Sequence, residues 1–145
     1  MKTIKPTYVS FEQAKLLKEK GFDVPVIHYY CIESKDLHFS CVEIKSPDDY
    51  LNNWNEAGWK VGFDNNWVES YSAPEQWQVV EWFFKKHGLF IQVLCETYND
   101  GYCFLWQIHN IKNSNNSSMW YGDNGEYDTP EKAYYAAFNY ILKLI

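Results

Sequence analysis

Apolar positions along the chain recur in two rhythms, one helical and one strand-like, and their order reads as helix, hairpin, helix, twice over. Ser10 and Gln13 form a capping box, Ala14 and Leu17 give a short apolar stripe, and Gly21 supplies a left-handed stop that Phe22 closes. Two strand-like runs follow, residues 26–32 and 37–44, joined by the polar turn Glu33-Ser34-Lys35-Asp36. Ser46, Pro47, Asp48 and Asp49 then open a second helix with a cap, a proline and first-turn acids. Its apolar face is Tyr50, Leu51, Trp54 and Ala57, and Gly58 ends it.

The second half repeats this order. Ser72-Ala73-Pro74-Glu75 reads as another capping box, followed by an apolar face of Trp77, Val80, Phe83 and Phe84. Glu81 and Lys85 sit one turn apart on the polar side. Lys85, Lys86 and His87 put positive charge at the negative helix end before Gly88. A type I′ turn at Asp100-Gly101 would set Tyr102 opposite Asn99, Phe104 opposite Thr97, Trp106 opposite Cys95 and Ile108 opposite Val93. In that register the inward set of the first strand is Leu89, Ile91, Val93, Cys95 and Thr97, and its partners are mostly apolar too. Residues 113–118 are the most loop-like stretch. Thr129-Pro130-Glu131 begins a last helix with a face of Tyr134, Ala137, Phe138, Ile141 and Leu144.

These elements predict one α+β domain over residues 1–145, with an (αββα)×2 pseudo-repeat whose halves span about 10–58 and 72–145. A single four-stranded antiparallel sheet, covered on one face by helices, would bury both apolar faces. Trp54, Trp77 and Trp106 fall on apolar faces and are expected in the core.

Composition narrows the function classes. A chain of 145 residues is long enough to bury a real core. No stretch approaches the ~20 apolar residues of a membrane span, and no apolar signal core follows the basic start, so a cytoplasmic protein is expected. The net charge is −6, and all 13 basic residues are lysine. Without arginine's bidentate fork, base or phosphate readout is disfavoured, and no nucleic-acid partner is expected. The four cysteines lie in strand-like runs and read as reduced, buried thiols. Aromatics reach 19%, with seven tryptophans that need a structural or binding explanation.

Catalytic and metal signatures are missing from the sequence: there is no Gly-rich phosphate loop, zinc spacing, metalloprotease helix or nucleophile elbow. No catalytic residue, metal or cofactor is therefore implied. His28, His38, Cys31 and Cys41 read as a hairpin with polar outward positions, His87 as a helix-end charge and His109 as a strand-end polar residue. Two aromatic stretches, residues 59–67 and 119–127, mix flat rings with amides and acids. Trp59, Asn65, Asn66, Trp67, Trp120, Tyr121, Asp123 and Tyr127 are the candidate binding residues. Such loops suit stacking on a sugar, and equally a protein hot spot. Against this, Trp59, Val61 and Phe63 alternate as a strand would, which makes Trp59 and Phe63 core candidates as well. If these rings are buried, the outer helix faces and the bare sheet face are where a partner must sit.

The run Ala73-Pro74-Glu75-Gln76-Trp77-Gln78-Val79-Val80-Glu81-Trp82, closing with Lys86-His87, resembles small phage and prophage proteins of uncharacterised function. So does the run Asp128-Thr129-Pro130-Glu131-Lys132-Ala133-Tyr134-Tyr135-Ala136-Ala137. The likeness covers about residues 72–145 and rests on helix caps and core stripes, so it carries over no site residue. It implies a phage accessory protein in a bacterial host cytoplasm. The expected function is non-enzymatic binding of a host or phage protein, in a role such as modulating host defence. The alternatives are a small-ligand or carbohydrate binder using the aromatic loops, a minor virion component, and a homodimer formed through exposed rings.

Overall fold

The computed structural model describes residues 5–39, 53–56, 59–61, 66–112, 119–121 and 125–145, the three isolated strands 59–61, 66–68 and 119–121 by their backbone. The chain divides into two compact units, Met1–Glu75 and Gln76–Ile145.

In the first unit, α1 (Phe11–Glu19) is closed at both ends by its own sequence. Ser10 Oγ accepts from Gln13 N at 3.2 Å, and Ser10 N donates to Gln13 Oε1 at 3.4 Å, the reciprocal capping box. At the other end Gly21 takes φ 79°, so its N–H reaches Lys18 O (3.0 Å) and that of Phe22 reaches Leu17 O (2.9 Å). This is the double bond of a Schellman stop, with Phe22 buried beneath it.

Strands β1 (His28–Cys31) and β2 (Leu37–Phe39) form the expected first hairpin, with Tyr29 opposite His38. Lys35 takes φ 59° in its turn. β3 (Trp59–Val61) and β4 (Asn66–Val68) pair as a separate two-stranded ribbon. β5 (Ser70–Ser72) adds to the free edge of β1, giving the order β2-β1-β5.

The expected second helix falls largely on residues outside those described; residues 53–56 form a turn, with Glu56 N on Asn53 O at 3.1 Å. That turn ties the unit together. Trp54 Nε1–H donates to Val26 O at 2.9 Å, Asn55 Nδ2 donates to Phe22 O at 2.8 Å, and Asn55 Oδ1 accepts from Ser72 N at 2.9 Å. The capping box expected at Ser72-Glu75 does not form. Ser72 is a buried strand residue paired with Tyr29, and Glu75 makes a bridge with Tyr8. The Asn55 side chain takes the Ser72 N–H that a capping box would use, and the bridge to Tyr8 holds Glu75 in extended pairing.

In the second unit α2 (Gln76–Trp82) runs into a π-helical turn, Phe83–His87, which Gly88 stops at φ 69°. A Cβ on Gly88 would meet only the flexible stem of Lys112, which can move aside, so it is the positive φ that calls for glycine here. β6 (Leu89–Tyr98) and β7 (Gly101–Asn110) form a long hairpin, and β8 (Met119–Tyr121) pairs with the far edge of β7.

The hairpin register differs from the expected one by two residues. Tyr98 pairs with Gly101, Cys95 with Phe104, Val93 with Trp106 and Ile91 with Ile108, so the turn residues are Asn99 and Asp100. A shift of two keeps every side chain on its face, which is why the alternation could not detect it. The inward set is buried only near the strand start. Ile91 and Ile108 are enclosed, whereas Cys95 and Thr97 are exposed because the hairpin tip projects beyond its helix. Cys95 is thus an exposed free thiol, while Cys103 is buried.

Helix α3 (Pro130–Leu144) packs on β6 and β7. Thr129 caps it, and Ala133, Ala137, Phe138, Ile141 and Leu142 are buried. Leu144 lies outside this face at 52% exposure, and Leu142 takes the place expected for it. The sheet is not a single four-stranded one. Among the described residues there are three antiparallel sheets, of three, two and three strands. The two hairpins also gain their third strands differently, β5 on the first strand of one and β8 on the second strand of the other.

Candidate functional site

Helix α2 and its π-helical extension are apolar nearly all round: of residues 77–84, only Gln78 and Glu81 are polar. Two stripes therefore compete for the core. The structure buries Val79, Trp82 and Phe83, with Phe83 packed on Phe138 at 5.9 Å between ring centroids. The other stripe, expected inside, faces out. Trp77 is 59% exposed and Phe84 43%, with Val80 half-buried between them. The choice follows from α3, which offers Phe138 to only one side of α2.

The exposed stripe continues onto the sheet. Phe84 meets Phe90 edge-to-face at 6.1 Å, and Phe90, 42% exposed, lies 6.2 Å from the His109 ring across the strand pair. His109 Nε2 is 3.1 Å from Gln92 Oε1, which holds the ring at the edge of this surface. Phe90 and Gln92 alternate with buried Ile91, so this is the sheet face turned away from the core. The result is a ridge of Trp77, Val80, Phe84 and Phe90. An ion pair between Glu81 and Lys85 flanks it, and Lys86 and Lys112 stand at its helical end, the Lys112 ammonium donating to Lys86 O at 3.0 Å.

The residues singled out from sequence are distributed over both units. Trp59, Asn66 and Trp67 lie on the β3–β4 ribbon, with Lys60 opposite Trp67. Trp120 and Tyr121 lie on β8, opposite Ile108 and Gln107. Their side chains, with Asn65 and Asp123, lie outside the described residues. Tyr127 is half-buried and bridges Phe104 through paired backbone bonds of 2.8 and 3.0 Å. The stretch expected as an aromatic loop is thus at both ends a strand-like partner of β7. Of the three tryptophans expected in the core, Trp54 and Trp106 are buried and Trp77 is not.

Two smaller constellations carry perturbed groups. Tyr98 hydroxyl lies 3.3 Å from Glu96 Oε2, 3.5 Å from Glu126 Oε1 and 3.4 Å from Cys103 Sγ, whose hydrogen bond, with burial and the carboxylates, holds its pKa above the usual value. In the first unit His28 packs on Tyr8 at 4.3 Å. Burial lowers its pKa, against the opposing pull of Glu75. Among the described residues no three His, Cys, Asp or Glu side chains converge as metal ligands.

His87 is the functional candidate that sequence reasoning treated as a simple helix-end charge. It ends the π-helical turn, a geometry often found at functional sites, and its ring lies 4.8 Å from Trp82. Burial, then the charges of Lys112 and Lys86, push its pKa below 6.5. The folded protein therefore binds this proton less readily than the unfolded chain. Stability from neutral His87 is present above the unfolded pKa of about 6.5 and is lost as pH falls below it. His87→Phe is expected to keep more of its stability between about pH 7.5 and about pH 5.5 than the parent. Urea midpoints at the two pH values measure this; equal losses in both proteins would show that His87 carries none of the effect, leaving it to groups such as His28.

No helix among the described residues is long and apolar enough to cross a membrane. No protein-family model, curated protein or solved structure matches the chain.

Proposed function

We propose that this chain is a non-enzymatic interaction module that binds a protein partner through the Trp77–Val80–Phe84–Phe90 ridge. The observation carrying this reading is the contiguous exposure of three large aromatic side chains on one helix and the adjoining strand. Protein hot spots are enriched in rigid aromatic side chains and gain affinity when a partner covers them. An exposed apolar stripe with one flanking ion pair suits a protein partner better than a sugar, whose hydroxyls need a dense set of polar partners. The likeness of the helices to phage accessory proteins supplies the setting: a bacterial cytoplasm, with a host or phage protein as the target and modulation of host defence as the role.

The double substitution Trp77→Glu, Phe84→Glu tests it. Both positions are exposed, so thermal stability is expected to stay close to that of the parent. Affinity for the protein captured by the parent is expected to fall about 30-fold or more, the loss of one hot spot of about 2 kcal/mol. Tyr102→Glu, at a 64% exposed position on the hairpin tip, is the control and is expected to bind as the parent does. Undiminished binding by the double variant would reject the ridge as the contact surface.

A further inference from the structure

We infer that the exposed half of the β6 edge pairs with the same edge of a second copy of this chain, antiparallel about a two-fold axis at Cys95. In the order β6-β7-β8 the outer side of β6 has no neighbouring strand among the described residues. The ladder fixes which backbone groups point that way. Phe104, opposite Cys95, directs its N–H and C=O to Tyr127 on the other side of β7. Cys95 and Phe104 are therefore not hydrogen-bonded to each other. By alternation Val93, Cys95 and Thr97 all turn their N–H and C=O away from β7, and no described group bonds them there. The strand also carries none of the devices that blunt an edge. Residues 89–98 include no lysine or proline, and the register on β7 runs without a bulge.

What the strand already buries selects the register. An axis at Cys95 engages all three outward residues, Val93 with Thr97 of the other copy and Cys95 with its own image, in about six hydrogen bonds. It leaves alone the strand start, where Ile91 is buried and Phe90 meets Phe84. A second copy is the occupant that the side chains fit. The hairpin tip projects beyond α3, so Cys95, beside half-buried Phe104, is exposed on the face that the helix covers further back. The two-fold sets the bare faces of two tips side by side, joining Phe104 and Cys95 to their images in one row. On the opposite face Glu96, the one ionic residue of the strand, meets half-buried Leu94 of the other copy and stays clear of its own image. Such a pairing occupies both β6 edges and stops at two copies. It does not involve Trp77, Val80, Phe84 or Phe90, so it stands apart from the ridge.

Sedimentation of the full chain under reducing conditions tests it. The parent is expected to be dimeric at about 200 µM, with a Kd of about 10–100 µM. Cys95→Lys and Cys95→Glu each oppose like charges at the axis, and each is expected to weaken association about fivefold or more. An equimolar mixture of the two variants is expected to return to about the parent's affinity, because lysine then faces glutamate. Cys95→Ser is expected to dimerise as the parent does. A monomeric parent at that concentration, charge variants that dimerise like the parent, or a mixture no better than either variant alone would each overturn the assignment. A dimer abolished by Trp77→Glu, Phe84→Glu would overturn it too, since that dimer would belong to the ridge.

Discussion

Phe138→Ala is expected to destabilise the second unit by about 3–5 kcal/mol. Phe138 is fully buried in the middle of α3, its ring between Phe83 of the π-helical turn at 5.9 Å and Tyr134 of its own helix at 6.0 Å. It joins the π-helical turn to α3, which in turn packs on the sheet. Truncation leaves a cavity among Phe83, Ala137 and Ile141, three further buried residues held by backbone elements that cannot collapse freely. Leu144→Ala on the same helix is the comparison. Leu144 is 52% exposed, and its loss is expected to cost within about 0.5 kcal/mol. Urea titration followed by tryptophan fluorescence measures both. Similar small costs for the two would mean that α3 does not cover the sheet as described.

Trp54→Ala is expected to cost the first unit a similar amount, about 3–5 kcal/mol, for a different mixture of reasons. The indole is buried and packs on Tyr29 at 4.6 Å, and its Nε1–H donates to Val26 O at 2.9 Å. Its backbone carbonyl accepts from Ser70 Oγ at 2.8 Å, so the residue ties the chain before β1 to β5. Trp54→Phe separates the contributions. It keeps most of the apolar surface but leaves Val26 O without its donor, for an expected cost of about 1–3 kcal/mol. If Trp54→Phe were as costly as Trp54→Ala, the hydrogen bond rather than the packing would hold the unit together.

The two substituted residues also show how far apolar periodicity reaches. Trp54 and Phe138 both lie on faces that periodicity marks as core, and both are core. Trp77 lies on an equally apolar face and is exposed. The difference is that α2 has two apolar stripes and α3 has one dominant stripe. Periodicity can only choose a face when the opposite face is polar. The same limit hid the helical part of the ridge, Trp77, Val80 and Phe84, which the apolar pattern placed inside, and directed attention to the aromatic stretches on β3, β4 and β8. The setting of His87 was hidden for another reason. It lines a cleft made by residues from three separate elements, and the π-helical turn that presents it leaves no distinct mark in the sequence Phe83-Phe84-Lys85-Lys86-His87.

What the sequence determined by itself is local. The capping box at Ser10 and Gln13, the left-handed stops at Gly21 and Gly88, the Thr129–Pro130 helix start and the alternation of the long hairpin all formed as read. Each depends on hydrogen bonds or steric rules acting over a few residues. Tertiary structure decided the rest: the two-residue register, the recruitment of β5 and β8, the loss of the Ser72 cap to a strand, and which stripe of α2 faces water. In each of these cases distant partners settled the outcome: Tyr29 for Ser72, β7 for β8, and Phe138 for Phe83.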